Sequence, residues 1–89
     1  IGTEDRSFVS VRLIFRQALR ENASYVIVLH NHPSGDPCPS REDRLITDKI
    51  FRAGNLVEIP LADHIIIGDR RYYSFKEHGD LTPREGTNL

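Results

Sequence analysis

The chain has 89 residues, 38% of them apolar and 28% charged, with a net charge of −1. That is room for one small domain, and the charge balance gives no footprint for duplex nucleic acid, which normally shows as a strongly basic face. No run approaches the roughly 20 apolar residues of a membrane span, no signal peptide is visible, and the single cysteine, Cys38, excludes an intramolecular disulfide and a cysteine-rich zinc knuckle.

A lone cysteine fits a reducing, cytoplasmic setting. The chain contains no methionine and begins at Ile1, which reads as a piece of a longer protein. The first clear element is a helix over residues 11–22. Val11, Ile14, Phe15, Ala18 and Leu19 recur at helical spacing and form one apolar face, with Arg12, Arg16 and Arg20 on the other side. Those arginines read as a solvated helix face, with a local basic patch for a partner as the alternative.

Residues 25–29 are apolar throughout and rich in β-branched side chains, which predicts a strand buried on both faces. It ends at His30-Asn31-His32. Pro33, Pro37 and Pro39, with Gly35 between them, then forbid a helix or a central strand. Gly35 is read as a turn position with positive φ. Ser40 comes next as an N-cap and opens a helix over residues 41–53, with Leu45, Ile46, Ile50 and Phe51 inward and Gly54-Asn55 closing it. Short strands are expected at 57–60, 64–67 and 71–75, the last two joined by a turn at Gly68-Asp69. Tyr72, Tyr73 and Phe75 read as packing residues. The polar tail from Gly79 onward is expected to be loose. The element order is therefore (β)αβαβββ.

The chemistry concentrates where the first predicted strand ends. His30 and His32 are two apart, so on a strand both imidazoles point to the same side. Neutral imidazole is the commonest metal ligand, and a catalytic zinc takes three protein ligands and keeps one position open. Asp43, in the first turn of the second helix, is the candidate third ligand, favoured there by the helix dipole as well. Ser40 falls on the same side, where its hydroxyl can donate to a developing oxyanion. A plainer reading competes: Ser40-x-x-Asp43 is also close to a capping box, in which the pair only satisfies main-chain N–H groups. The tripeptide His30-Asn31-His32 is not the motif of HNH nucleases, whose named residues are scattered over a ββα-metal unit of about thirty residues.

His30-x-His32, seven intervening residues, then Ser40-x-x-Asp43 resembles the His-x-His-x7-Ser-x2-Asp signature of the JAB/MPN (JAMM) metallopeptidases in every required position. The flanking text is similar to the RadC subfamily: the run from His30 to Ser40, Asp63-His64-Ile65-Ile66-Ile67-Gly68, Gly2-Thr3, Leu45-Ile46-Thr47 and Tyr73-Ser74-Phe75. The resemblance spans about residues 2–79. It implies an α/β fold of the JAB/MPN (cytidine-deaminase-like) kind, a curved mixed sheet flanked by helices. It places a domain over residues 1–79, lacking its first strand or strands, with a flexible tail over 80–89. It further implies zinc held by His30, His32 and Asp43, Ser40 at the active centre, and a glutamate as general base for water attack on an amide carbonyl. That glutamate is expected just upstream of Ile1. Within the chain Glu4 is the nearest substitute, with Asp5 beside it, and Glu21 sits too far along the first helix. Without it the isolated chain should be poorly active.

The leading expectation is a zinc-dependent hydrolase acting on a peptide or isopeptide-like amide. The alternative is a non-catalytic accessory or scaffold domain in DNA repair or mobile-element function. A peptide or protein substrate is the expected partner, strong DNA contact and a membrane are not, and oligomeric state is left open. Outside the metal signature, His64 reads as a core or turn residue or as one that orients a ligand or the Ser40 loop. Cys38 reads as a small loop filler, with a fourth metal ligand or a regulatory thiol as the lesser alternative.

Overall fold

The computed structural model describes residues 10–81. Its elements are α1 (Val11–Arg20), β1 (Val26–Asn31), α2 (Arg41–Val57), β2 (Leu61–Ile67) and β3 (Tyr72–Ser74). The strands form one mixed sheet in the order β1-β2-β3, with β1 parallel to β2 and β3 antiparallel to it. This is the small α/β arrangement expected. The strand expected ahead of α1 falls outside the described residues.

The start of α1 is capped by Ser10, whose hydroxyl oxygen accepts from Leu13 N–H at 3.2 Å. Its Phe15 and Ala18 are buried and Arg12, Arg16 and Arg20 stay in solvent, as the periodicity predicts, but Leu19, expected on the apolar face, is exposed. Phe15 and Ala18 join Ile50, Ile59 and Leu61 in the core, with Val26, Val28, Ile46 and Phe51 packed around them. Both helices therefore cover the Val26–Val28 side of the sheet. Ile27 and Leu29 point the other way and are 50% and 65% exposed, so β1 is buried on one face, not two, among the described residues. An uninterrupted apolar run shows that both faces tolerate apolar side chains; it does not show that both are covered here.

Three expectations about α2 and the segment after it are corrected. The helix does not stop at Gly54 but runs on to Val57 and ends where Glu58 turns left-handed, φ 64°. Gly54 serves a close approach instead: a Cβ there would lie 2.6 Å from the Ile59 carbonyl oxygen and 3.3 Å from the Phe15 ring. No strand forms at 57–60, because Glu58 and Ile59 donate back to Asn55 and Gly54 carbonyls to close the helix. Leu45 is exposed, since the buried stripe is Asp43, Thr47, Ile50 and Gly54. That face is polar near the helix start and apolar beyond, so apolar periodicity alone places it one residue row off.

The β2–β3 hairpin is held by Asp63. Its Oδ1 accepts from the N–H groups of His64 and Lys76, at 2.7 and 2.9 Å, and its Oδ2 accepts from the Ser74 hydroxyl at 2.6 Å. The chain then returns to the body: Asp80 meets the Tyr73 hydroxyl and Arg44, and Leu81 packs against the core. The start of the tail expected to be loose is thus engaged, and residues beyond 81 lie outside those described. Among the described residues no helix is long and apolar enough to cross a membrane.

Candidate metal centre

His30 lies on β1, paired across the sheet with Ile66. His32 sits one residue past the strand, held in line by its N–H donating to Ile67 O at 3.0 Å. The two rings meet edge to face with centroids 4.8 Å apart. After His32 the chain doubles back on itself: Gly35 N–H donates to His32 O at 3.0 Å, with Gly35 at φ 91°, a conformation that suits glycine. Gly35 O in turn accepts from Asp69 N–H at 2.7 Å, docking the loop on the β2–β3 turn. Inside the loop, Asp36 Oδ1 accepts from Cys38 N–H at 3.0 Å, and Pro37 and Pro39 are buried. The effect is to place the Asp36 carbonyl oxygen 2.9 Å from His32 Nδ1. A carbonyl can only accept, so Nδ1 carries the ring proton and Nε2 is the atom left free.

That Nε2 faces Asp43 Oδ2 at 3.0 Å, and His30 Nδ1 faces Asp43 Oδ1 at 3.3 Å. The aspartate also completes the capping box of α2: its Oδ2 accepts from Ser40 N–H at 2.8 Å, while Ser40 Oγ accepts from Asp43 N–H at 3.0 Å. The cap and the ligand readings of this pair are therefore compatible, because a carboxylate has lone pairs enough for both. Burial works against ionising Asp43. The Ser40 main-chain N–H, the Ser40 hydroxyl and the two histidines outweigh it, so its carboxyl is held below the usual aspartate value.

One atom from each of His30, His32 and Asp43 can be chosen so that all lie within 4.8 Å of one another. Among the described residues this is the group of three or more such side chains able to hold a metal ion. Two imidazoles and a carboxylate are the donor set of many catalytic zinc sites. Their arrangement also calls for a cation: with Nδ1 of His32 protonated, a neutral Nε2 would set its lone pair against carboxylate oxygen. Either a second proton on that ring or a bound metal relieves the clash.

Ser40 lies beside Asp43, joined to it by the two capping-box hydrogen bonds. Cys38 is exposed and does not belong to the cluster. Glu21 caps the far end of α1, where it accepts from the Gln17 side chain. Glu4 and Asp5, the carboxylates weighed as a base, lie outside the described residues. His64 is buried between His30 and Phe75. Burial first, then the neighbouring His30, lowers its pKa from 6.5 to about 4 against the opposing pull of Asp43 and Asp63. Sequence reasoning missed Thr47, buried under the centre and one turn along α2 from Asp43. Its i+4 spacing from a candidate ligand was the available signal.

Comparison with known proteins points to one family. The family model of the RadC-like JAB domain matches residues 1–80. A UPF0758 protein of Thermotoga maritima is 56% identical over 81 residues, which are 91% of this chain and 36% of that protein. A UPF0758 protein of Methanosarcina mazei is 52% identical over 79 residues, covering 89% of this chain and 34% of its own length. The UPF0758 protein YsxA of Bacillus subtilis is 48% identical over 81 residues, covering 91% and 35%. The chain thus spans about a third of the length of these curated relatives. With a family model matching nearly the whole chain, and the site spacing seated on a small α/β fold, this chain belongs to the RadC-like JAB domain family.

Proposed function

We propose that this domain binds one divalent cation, zinc above others, through His30, His32 and Asp43, as the metal centre of a JAMM-type hydrolase. The substrate class is a peptide or isopeptide-like amide. The observation that carries the reading is the convergence of His32 Nε2, whose tautomer the Asp36 carbonyl sets, and a carboxylate held ionised by Ser40 and the histidines. Zinc bound there would supply Lewis acidity to water and to a carbonyl oxygen.

The chain's own residues have distinct tasks. Asp43 is fixed by its capping box, so the helix start and the ligand move as one body. His32 is fixed by the loop, and His30 by the sheet. Ser40 Oγ accepts from Asp43 N–H, and its O–H, which helps to hold the metal-free Asp43 ionised, would be released to donate to an oxyanion beside the centre once a cation takes over the carboxylate. A general base for the attacking water is part of this proposal.

The test is metal content by elemental analysis of the purified protein, beside His32→Ala and Asp43→Ala. About one zinc per chain, lost in both variants, supports the reading. A wild-type protein that takes up no zinc when it is supplied, and whose melting temperature does not shift, overturns it and leaves Ser40 and Asp43 as a helix cap in a scaffold.

A further inference from the structure

His64 lies outside the His-x-His and Ser-x-x-Asp spacing, yet it touches both halves of the centre. One face of its ring stacks on His30, with centroids 6.0 Å apart and planes 18° from parallel. The other face stacks on Phe75 at 4.9 Å and 6°. At the ring edge, Nδ1 is 2.6 Å from Thr47 Oγ1, and the same hydroxyl is 2.6 Å from the Asp43 carbonyl oxygen.

Counting protons fixes the direction of this chain. Thr47 has one hydroxyl proton, and the Asp43 carbonyl can only accept, so that proton goes to Asp43 O. His64 Nδ1 must then be the donor to Thr47. Its Nε2 is consequently a bare acceptor, and it is buried with no hydrogen-bond partner among the described residues. A phenyl ring would fill the slot between His30 and Phe75 without leaving such an acceptor stranded. Packing alone therefore gives no reason for an imidazole at this position, whereas the Nδ1–H donor does.

We propose that His64 is a positioning residue of the metal centre, linking the ring of strand-borne His30 through Thr47 to the helix turn that carries Asp43. The link sets the separation and tilt of ligands that come from different elements, as outer hydrogen-bond partners of metal ligands do elsewhere. The inference rests on the metal reading above.

The experiment uses wild type, His64→Phe, Thr47→Val and the double variant. Zinc affinity is measured by competition with a chromogenic chelator, the Co2+ form by its visible absorption, and the metal-free fold by thermal melting. His64→Phe keeps the flat ring and removes the donor; Thr47→Val keeps the shape and removes the relay. Each is expected to weaken zinc binding on the order of tenfold and to alter the cobalt bands, while the melting temperature of the metal-free protein holds or rises for His64→Phe. Because both cut one link, the double variant should be little worse than either single one. A wild-type cobalt spectrum and zinc affinity in both single variants would overturn the proposal, as would fully additive losses. If His64→Phe does not fold, Thr47→Val decides by the same criteria. Should wild type bind neither metal, the metal reading falls and this inference with it, an outcome distinct from normal binding by the variants.

Discussion

His32 Nδ1 lies 2.9 Å from the main-chain oxygen of Asp36, four residues further along, so the loop after the histidine chooses which of its nitrogens faces Asp43. A ring whose tautomer is set by a backbone acceptor is better prepared for a cation than one free to exchange protons between its two nitrogens. The arrangement depends on how the loop is seated, and the seat is glycine.

Gly68 is where the loop meets the β2–β3 turn. A Cβ there would lie 2.4 Å from Gly35 O and 2.7 Å from Pro37 Cδ, distances that force the loop away. Gly68→Ala is therefore expected to cost about 1–3 kcal/mol of stability. It should also weaken zinc binding at least tenfold although residue 68 is no ligand. Thermal melting and zinc titration check the two effects; unchanged zinc affinity would show that the loop does not control His32.

Ser40 and Asp43 share a cap, and two substitutions separate cap from ligand. Ser40→Ala removes the acceptor for Asp43 N–H and is expected to cost about 1 kcal/mol, with one zinc per chain still taken up. If the centre is the proposed hydrolase site, the larger effect should be on turnover, on the order of 100-fold for a lost oxyanion donor. Asp43→Asn keeps an oxygen able to accept from Ser40 N–H but loses the negative charge. Metal content should drop to background, while the metal-free protein stays folded and melts somewhat lower at neutral pH, because the share of stability that ionised Asp43 contributes is lost. Equal zinc uptake by Asp43→Asn and wild type would remove Asp43 from the ligand set.

Much of the site is legible in the sequence because it is written in local spacing. Two histidines at i and i+2 on a strand end, and a serine three before an aspartate at a helix start, each fix a side-chain direction without help from the rest of the fold. The misses have the opposite character. Gly54 reads as a helix stop because its need, room for the Ile59 carbonyl, comes from a segment that only tertiary packing brings near. Leu45 reads as inward because Asp43 and Thr47, both polar, occupy the buried face. Ile27 and Leu29 read as part of a doubly covered strand, yet both helices lie on the other side of the sheet. His64 stays undecided, since its partners Thr47 and Phe75 converge on it only when α2 and β3 are in place.

Metal binding to the folded state should raise stability by mass action. At a free zinc concentration 100 times the dissociation constant the gain is about 2.7 kcal/mol if the unfolded chain does not compete. For a domain of this size that corresponds to a rise on the order of 10 °C in melting temperature. Chelator should reverse it, and His32→Ala should show none. A rise that persists in His32→Ala would place the stabilising metal elsewhere.

Acid should destabilise the metal-free protein in a particular window, and His64 sets it. Burial and the nearby His30 hold its pKa at about 4 in the native state against 6.5 when free, with His32 pulling the same way and Asp43 and Asp63 opposing. Between those values the unfolded chain binds a proton at this position that the native chain does not. Stability therefore rises with pH there and falls as acid is added. The loss begins near pH 6.5, is complete near pH 4, and amounts to about 3 kcal/mol. Asp43, whose native pKa is lowered, contributes in the same direction but later: its share is present above the ordinary aspartate value and disappears as pH drops through its native one. Denaturant melts of metal-free protein from pH 7 to 4 should show this slope, and His64→Phe should flatten it because a phenyl ring takes no proton. A wild-type slope surviving that substitution would show that His64 is not the group that sets the acid sensitivity.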